Sequence, residues 1–157
     1  MTEIVLRDAS EDDIPAIIAV TRAAFEEYAS WLNPPSSVPS ETPEKVRAKL
    51  ASGRSVLALA GDRLVGSVYY SPEEGYVYLG RLAVLPEYRG QGIGTALVAE
   101  VERRARALGR PRVRLGVRVA LPQIRALYDR LGYQVYEERR HPGFDEPTYV
   151  MMEKDLV

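Results

Sequence analysis

The short apolar run Ile4-Val5-Leu6 before Arg7 predicts a first strand, after which Ser10 followed by Asp13 marks a capping-box-like helix start. Ile14, Ile17, Ile18, Thr21, Phe25 and Tyr28 then recur at helical spacing, so one apolar face runs from about residue 12 to 30 and should pack on a sheet. Pro15 falls in the first turns, where its missing N–H costs least. The stretch Asn33 to Ser40 carries Pro34, Pro35 and Pro39 among serines and cannot continue a helix. Thr42 caps a short second helix, Pro43 takes its first position and Gly53 ends it.

Ser55 to Ala60 and Leu64 to Ser71 are β-rich and separated by Gly61-Asp62-Arg63, which reads as a hairpin; a turn at Pro72 to Gly75 leads into Tyr76 to Val84, completing a three-stranded antiparallel meander. Beyond Leu85 the period changes. A glycine-rich turn precedes a helix with Ile93, Leu97, Val101, Ala105 and Leu108 on one face, stopped by Gly109 and Pro111. Strand Arg112 to Val119, helix Pro122 to Leu131 closed by Gly132, and strands Tyr133 to Arg139 and Thr148 to Leu156 follow. The order β-α-α-β-β-β-α-β-α-β-β predicts an α+β fold in one domain, residues 1–157, around a mixed sheet.

Composition narrows what such a fold can do. At 157 residues the chain can bury roughly 70% of the surface it exposes when unfolded. The absence of cysteine excludes disulfides, thiolate metal sites and a cysteine nucleophile, and fits a reducing, cytoplasmic compartment. No stretch approaches the ~20 apolar residues of a membrane span, and no metal is implied. Arginines cluster between 103 and 118, but Glu100 and Glu102 interleave and the net charge is −1, so nucleic acid is not an expected partner.

The chemistry concentrates in Arg89-Gly90-Gln91-Gly92-Ile93-Gly94-Thr95, between a strand and an apolar-periodic helix. The first-turn N–H groups of that helix lack intrahelical partners and carry the positive end of its dipole. Glycine at 90, 92 and 94 lets an anion approach the backbone and permits φ > 0 where the turn demands it. Arg89 adds a fork suited to phosphate oxygens and Thr95 a hydroxyl. The dinucleotide fingerprint fails, because the third glycine is one residue early and no acidic ribose ligand follows; the P-loop fails because no Lys-Ser/Thr follows the glycines.

With Leu82-Ala83-Val84, a proline and Tyr88-Arg89-Gly90 before it, the pattern Arg89-x-x-Gly92-x-Gly94 resembles the acetyl-CoA site of the GNAT superfamily of N-acyltransferases, and Leu127-Tyr128-x-x-x-Gly132-Tyr133 resembles a second signature of that family. The resemblance spans most of the chain. It implies a mostly antiparallel seven-stranded sheet flanked by about four helices, with the fourth and fifth strands splayed to admit the pantetheine arm. Leu82, Ala83 and Val84 would line that arm, Arg89, Gly90, Gln91, Gly92, Ile93, Gly94 and Thr95 would hold the pyrophosphate, and Tyr128 would contact the sulfur and protonate the departing thiolate. A phenol of pKa ~10 suits that role. The family often has Asn at the position of Leu121 and Ala at that of Ile124; this chain has neither, which leaves Gln123 to supply a polar contact there.

The implied activity is transfer of an acetyl group from acetyl-CoA to a primary amine of a small molecule or peptide, by direct attack in a ternary complex, since no Cys or activated Ser suggests a covalent acyl-enzyme. The rival is a non-catalytic acyl-CoA-binding module. Deprotonating a free Lys at pH 7 costs about 4.6 kcal/mol and an α-amino group about 1.4. The fourth strand offers no carboxylate, so the candidate bases are Glu26, Glu27, Glu73, Glu74 and His141. The acceptor is expected between the Pro-rich loop and residues 140–147, with Tyr28, Trp31 and Tyr78 as candidate lining. By family habit the chain forms a homodimer.

Overall fold

The computed structural model describes residues 3–156. Seven strands, β1 (Ile4–Asp8), β2 (Arg54–Ala60), β3 (Arg63–Glu73), β4 (Tyr76–Val84), β5 (Arg112–Arg118), β6 (Gln134–Arg139) and β7 (Tyr149–Asp155), form one sheet in the order β1-β2-β3-β4-β5-β7-β6. All neighbours are antiparallel except β4 and β5. Four helices, α1 (Ile14–Phe25), α2 (Pro43–Ser52), α3 (Ile93–Ala107) and α4 (Pro122–Arg130), cover it. None of the helices is long and apolar enough to cross a membrane.

The period-2 alternation of β2 divides the helices between two faces. Leu57 packs with Ile14, Ile17, Ile18 and Val46 of α1 and α2. Its neighbours Val56 and Ala58 face the other way and join Leu97, Val98 and Val101 of α3. Tyr128 of α4 belongs to that second cluster. The α3 helix lies directly on β3, because a side chain at Gly66 would come within 3.2 Å of Ala83 O, Ile93 Cγ2 and Leu97 Cδ1. Only glycine allows that approach.

Local chemistry sets the ends of the helices. The Asp13 carboxylate bonds the Ser10 amide at 2.8 Å and takes both Arg7 nitrogens at 2.9 Å, which holds its pKa well below the usual carboxylate range. Thr42 Oγ1 accepts from the Lys45 amide at 3.2 Å and caps α2.

Two expectations need correction. The first helix does not run to residue 30: α1 stops at Phe25 and continues only as a 3₁₀ turn over Glu26–Tyr28, because Arg89 Nη2 donates to the Ala24 carbonyl at 2.8 Å. Leu108 is not on the buried face of α3; it lies past the last turn and is 44% exposed. That face instead buries Glu102, whose carboxylate accepts from Tyr133 Oη at 2.9 Å and Lys154 Nζ at 3.0 Å. A buried charge is tolerable when it is paired in this way.

Candidate functional site

The β4–β5 ladder pairs only Val77 with Val113 and Tyr78 with Arg114. Beyond that point the strands part. The β3–β4 register shows why β4 turns away: between the Ser67↔Ala83 and Tyr69↔Gly80 pairs it holds one extra residue, a bulge, and Arg81 adopts φ 54° there. Arg81 is fastened in that conformation by Ser37 Oγ at 2.6 Å and by the buried carboxylate of Glu41 at 3.3 Å, which also takes Lys49 at 2.9 Å. Sequence reasoning missed Glu41, whose only signal is its place beside the cap of α2.

The parted strands open a cavity of about 560 Å³, which is lined by β4 from Leu79 to Val84, by β5 from Leu115 to Arg118, by the start of α3 and by α4. Of the predicted binding residues, Leu82, Ala83, Val84, Arg89, Gly90, Gly92, Ile93, Gly94, Thr95 and Tyr128 line it. Gln91 is exposed and does not.

At the α3 end the wall is main chain. Gly90 and Gly92 have φ of 79° and 81°, the left-handed region that favours glycine, and Gly92 is the N-cap of α3 with no side-chain acceptor. No amide from Gly90 to Thr95 donates to any acceptor among the described residues. Six consecutive donors are therefore left without a protein acceptor at the positive end of a helix dipole. Gly94 is helical rather than left-handed, so of the three glycines it serves the approach of a ligand and not the turn. A carbon added there would point between Leu82, Val84 and Leu127, each 3.9 Å away, so this glycine keeps the cavity open. The Arg89 guanidinium, expected as a phosphate fork, pairs with Glu27 at 2.5 Å and with the Ala24 carbonyl.

Deeper in, Tyr128 is 4% exposed, its ring edge-to-face on Tyr133 at 5.6 Å, and it lines the cavity. Burial pushes its pKa well above that of a free phenol, and nearby Tyr78 adds to the rise. It keeps its proton at any working pH. Leu121 opens α4 without a side-chain cap, while Gln123 and Ile124 reach the cavity wall.

The residues expected around the acceptor scatter. Tyr28 lines the cavity, its pKa raised first by burial and then by Glu27. Trp31 is 53% exposed, its Nε1 bonded to the Glu27 carbonyl at 2.8 Å, and it does not line the cavity. Tyr78 lies outside the lining too, on the α1/α2 face of β4, with its pKa raised by burial. None of the five candidate bases lines the cavity: Glu27 is paired with Arg89, Glu73 with Ser71 at 2.8 Å, and His141 lies in the β6–β7 loop against Thr148 and Tyr149.

The α3 end suits a linked pair of phosphoryl groups. It offers unpaired donors, no competing carboxylate on the cavity wall, and a glycine that a side chain would fill.

Residues 21–133 match the family model described as the acetyltransferase (GNAT) family. An S-alkylcysteine N-acetyltransferase of Bacillus subtilis (strain 168) is 36% identical over 90 residues, 55% of this chain and 49% of that protein. An acetyltransferase of Sodalis glossinidius (strain morsitans) is 34% identical over 84 residues, 52% and 57% of the two chains. The match thus spans about half the length of these curated relatives. Among solved structures, the PaiA N-acetyltransferase of Thermoplasma acidophilum in complex with coenzyme A superposes with a TM-score of 0.83 at 23% identity over 98% of this chain and 99% of that one. The ribosomal-protein-S18-alanine N-acetyltransferase of Escherichia coli gives 0.79 at 18% identity over 98% and 94%. The fold is therefore the expected one, strand for strand.

Proposed function

The chain belongs to the acetyltransferase (GNAT) family, and from that premise we propose that it is a cytoplasmic N-acetyltransferase moving the acetyl group of acetyl-CoA to a primary amine by direct attack in a ternary complex. The observation that carries this reading is the row of unpartnered amides from Gly90 to Thr95 at the mouth of a cavity that leads to a buried, protonated phenol.

Acetyl-CoA, when bound, supplies a thioester carbonyl to the amine and a thiolate as leaving group. The chain's residues do the rest. The amides of Gly92, Ile93, Gly94 and Thr95 hold the pyrophosphate oxygens, with the α3 dipole in support. The edge of β4 beyond Tyr78, at Leu82, Ala83 and Val84, has lost its partner strand and offers main-chain groups to the pantetheine amides. The bulge at Arg81 leaves a residue out of the β3 ladder beside the point where the strands part, and its main-chain polar groups would be available to polarise the thioester carbonyl. The Tyr128 hydroxyl donates its proton to the departing sulfur.

Among the described residues no Asp, Glu or His stands on the cavity wall, so the amine must lose its proton, to water, before or during attack without a carboxylate beside it. That favours an α-amino group, which costs about 1.4 kcal/mol to deprotonate at pH 7 against about 4.6 for a lysine. The Bacillus subtilis relative is named for acetylating S-alkylcysteine, an amino acid, in keeping with such an acceptor.

Thiol release from acetyl-CoA, measured against a panel of amines and peptides, tests the reading. In Tyr128→Phe, kcat should fall by roughly a hundredfold or more with coenzyme affinity unchanged. Coenzyme binding without turnover on every acceptor would favour the non-catalytic binding module instead.

A further inference from the structure

Four arginines line the cavity, Arg81, Arg89, Arg118 and Arg130. Carboxylates neutralise two of them, Glu41 at Arg81 and Glu27 at Arg89, and Arg130 is exposed to water. Arg118 is different. It is half-buried, and among the described residues no carboxylate pairs with it, its Nη2 donates only to the Pro34 carbonyl, and its Nε is buried without a partner. A guanidinium cannot escape this cost by losing its proton, although burial draws its pKa below the ordinary value. A buried donor left unmade is expensive unless something completes it.

The position of Arg118 indicates what that partner is. Val113, Leu115 and Val117 of β5 are buried in the α3-side core, so by alternation Arg118 projects from the opposite face, the one covered by α1 and α2. Its contacts agree. It reaches Pro34 in the Pro-rich loop between α1 and α2, and its charge is felt at His141 in the β6–β7 loop. It therefore stands where β5 and both loops meet, across the sheet from the amides at the start of α3.

Resting on the acetyl-transfer reading above, we propose that Arg118 is the docking point for a carboxylate on the acceptor, so that the substrate is an amino acid or similar small amine bearing an acid group close to the amine. The planar fork of the guanidinium suits a carboxylate, and its Nη1, which makes no hydrogen bond among the described residues and is not buried as Nε is, can receive one. No acid on the cavity wall competes for it.

The test uses the full chain with saturating acetyl-CoA and a panel of α-amino acids, each paired with its primary amide and compared at equal concentration of neutral amine. For the best acceptor, kcat/KM should favour the acid over the amide by about 10- to 100-fold. Arg118→Met should erase that preference and Arg118→Lys should retain part of it, with coenzyme affinity unchanged in both as the check on folding. Equal use of acids and amides, or a preference that survives Arg118→Met, overturns the assignment while leaving acetyl transfer intact. Failure to bind coenzyme, or no thiol release with any amine, overturns the transferase reading and this assignment with it.

Discussion

The two ends of the cavity are built from different materials. At the start of α3 the wall is main chain, with amides from Gly90 to Thr95 that have no acceptor and glycines whose missing side chains leave the approach clear. On the opposite face it is side chain, drawn from β4 and β5 and held by a loop and a helix cap far away in sequence: Arg81 on Ser37 and Glu41, and Arg118 on Pro34. Main-chain amides can grip a phosphate whatever the neighbouring side chains are, whereas a pocket of side chains changes its preference with each substitution. The first end therefore suits a coenzyme shared by many enzymes, and the second suits an acceptor particular to this one.

The comparison breaks most sharply at Gly94. Glutamate there adds bulk and a negative charge between Leu82, Val84 and Leu127 without any backbone strain, because Gly94 is already helical. An acid in the first turn favours the helix dipole, and replacing glycine gains up to about 1 kcal/mol of helix propensity. Gly94→Glu should therefore melt no lower than the parent while losing roughly a thousandfold in coenzyme affinity by calorimetry, the burden of placing like charge against a buried anion. Loss of both together would show that the substitution had simply damaged the fold.

A smaller effect sharpens the other end. His141 is the only histidine, so its ring protons can be followed in isolation by NMR. Burial lowers its pKa, and Arg118 lowers it further. The folded state therefore binds less proton than the unfolded chain near pH 6.5. Its contribution to stability is present above the unfolded pKa of about 6.5 and is lost as pH falls through the folded value. The titration midpoint should lie below about 6.5 and move back toward it in Arg118→Met. A midpoint unmoved by that substitution would place the two groups apart.

The same contrast explains what could be read from the chain alone. The α3 end was legible because backbone function leaves a local signature, glycines at fixed offsets between a strand and an apolar-periodic helix. Helix and strand order was legible for a similar reason: Thr42-Pro43 and Ser10 with Asp13 are short-range signals. The acceptor end was not, since Arg118, Pro34 and His141 share no local pattern and meet only when the α1–α2 and β6–β7 loops close over β5. Ring chemistry marks Trp31 and Tyr78 as candidates without saying where the fold puts them: Trp31 is exposed beyond the 3₁₀ turn that follows α1, and Tyr78 lies on the same face of the sheet as Arg118. The pairing of Arg89 with Glu27 is illegible for the same reason, because Glu27 comes from the 3₁₀ turn after α1. Leu108 failed for a simpler reason, that the helix ends one residue before it.

The central claim, that main-chain amides at the start of α3 receive the coenzyme's pyrophosphate, is open to direct observation in an amide proton–nitrogen NMR titration of the assigned protein with coenzyme A. The amide protons of Gly92, Ile93, Gly94 and Thr95 should move downfield together, with the same saturation curve as binding. Binding that leaves those four resonances in place would contradict the account.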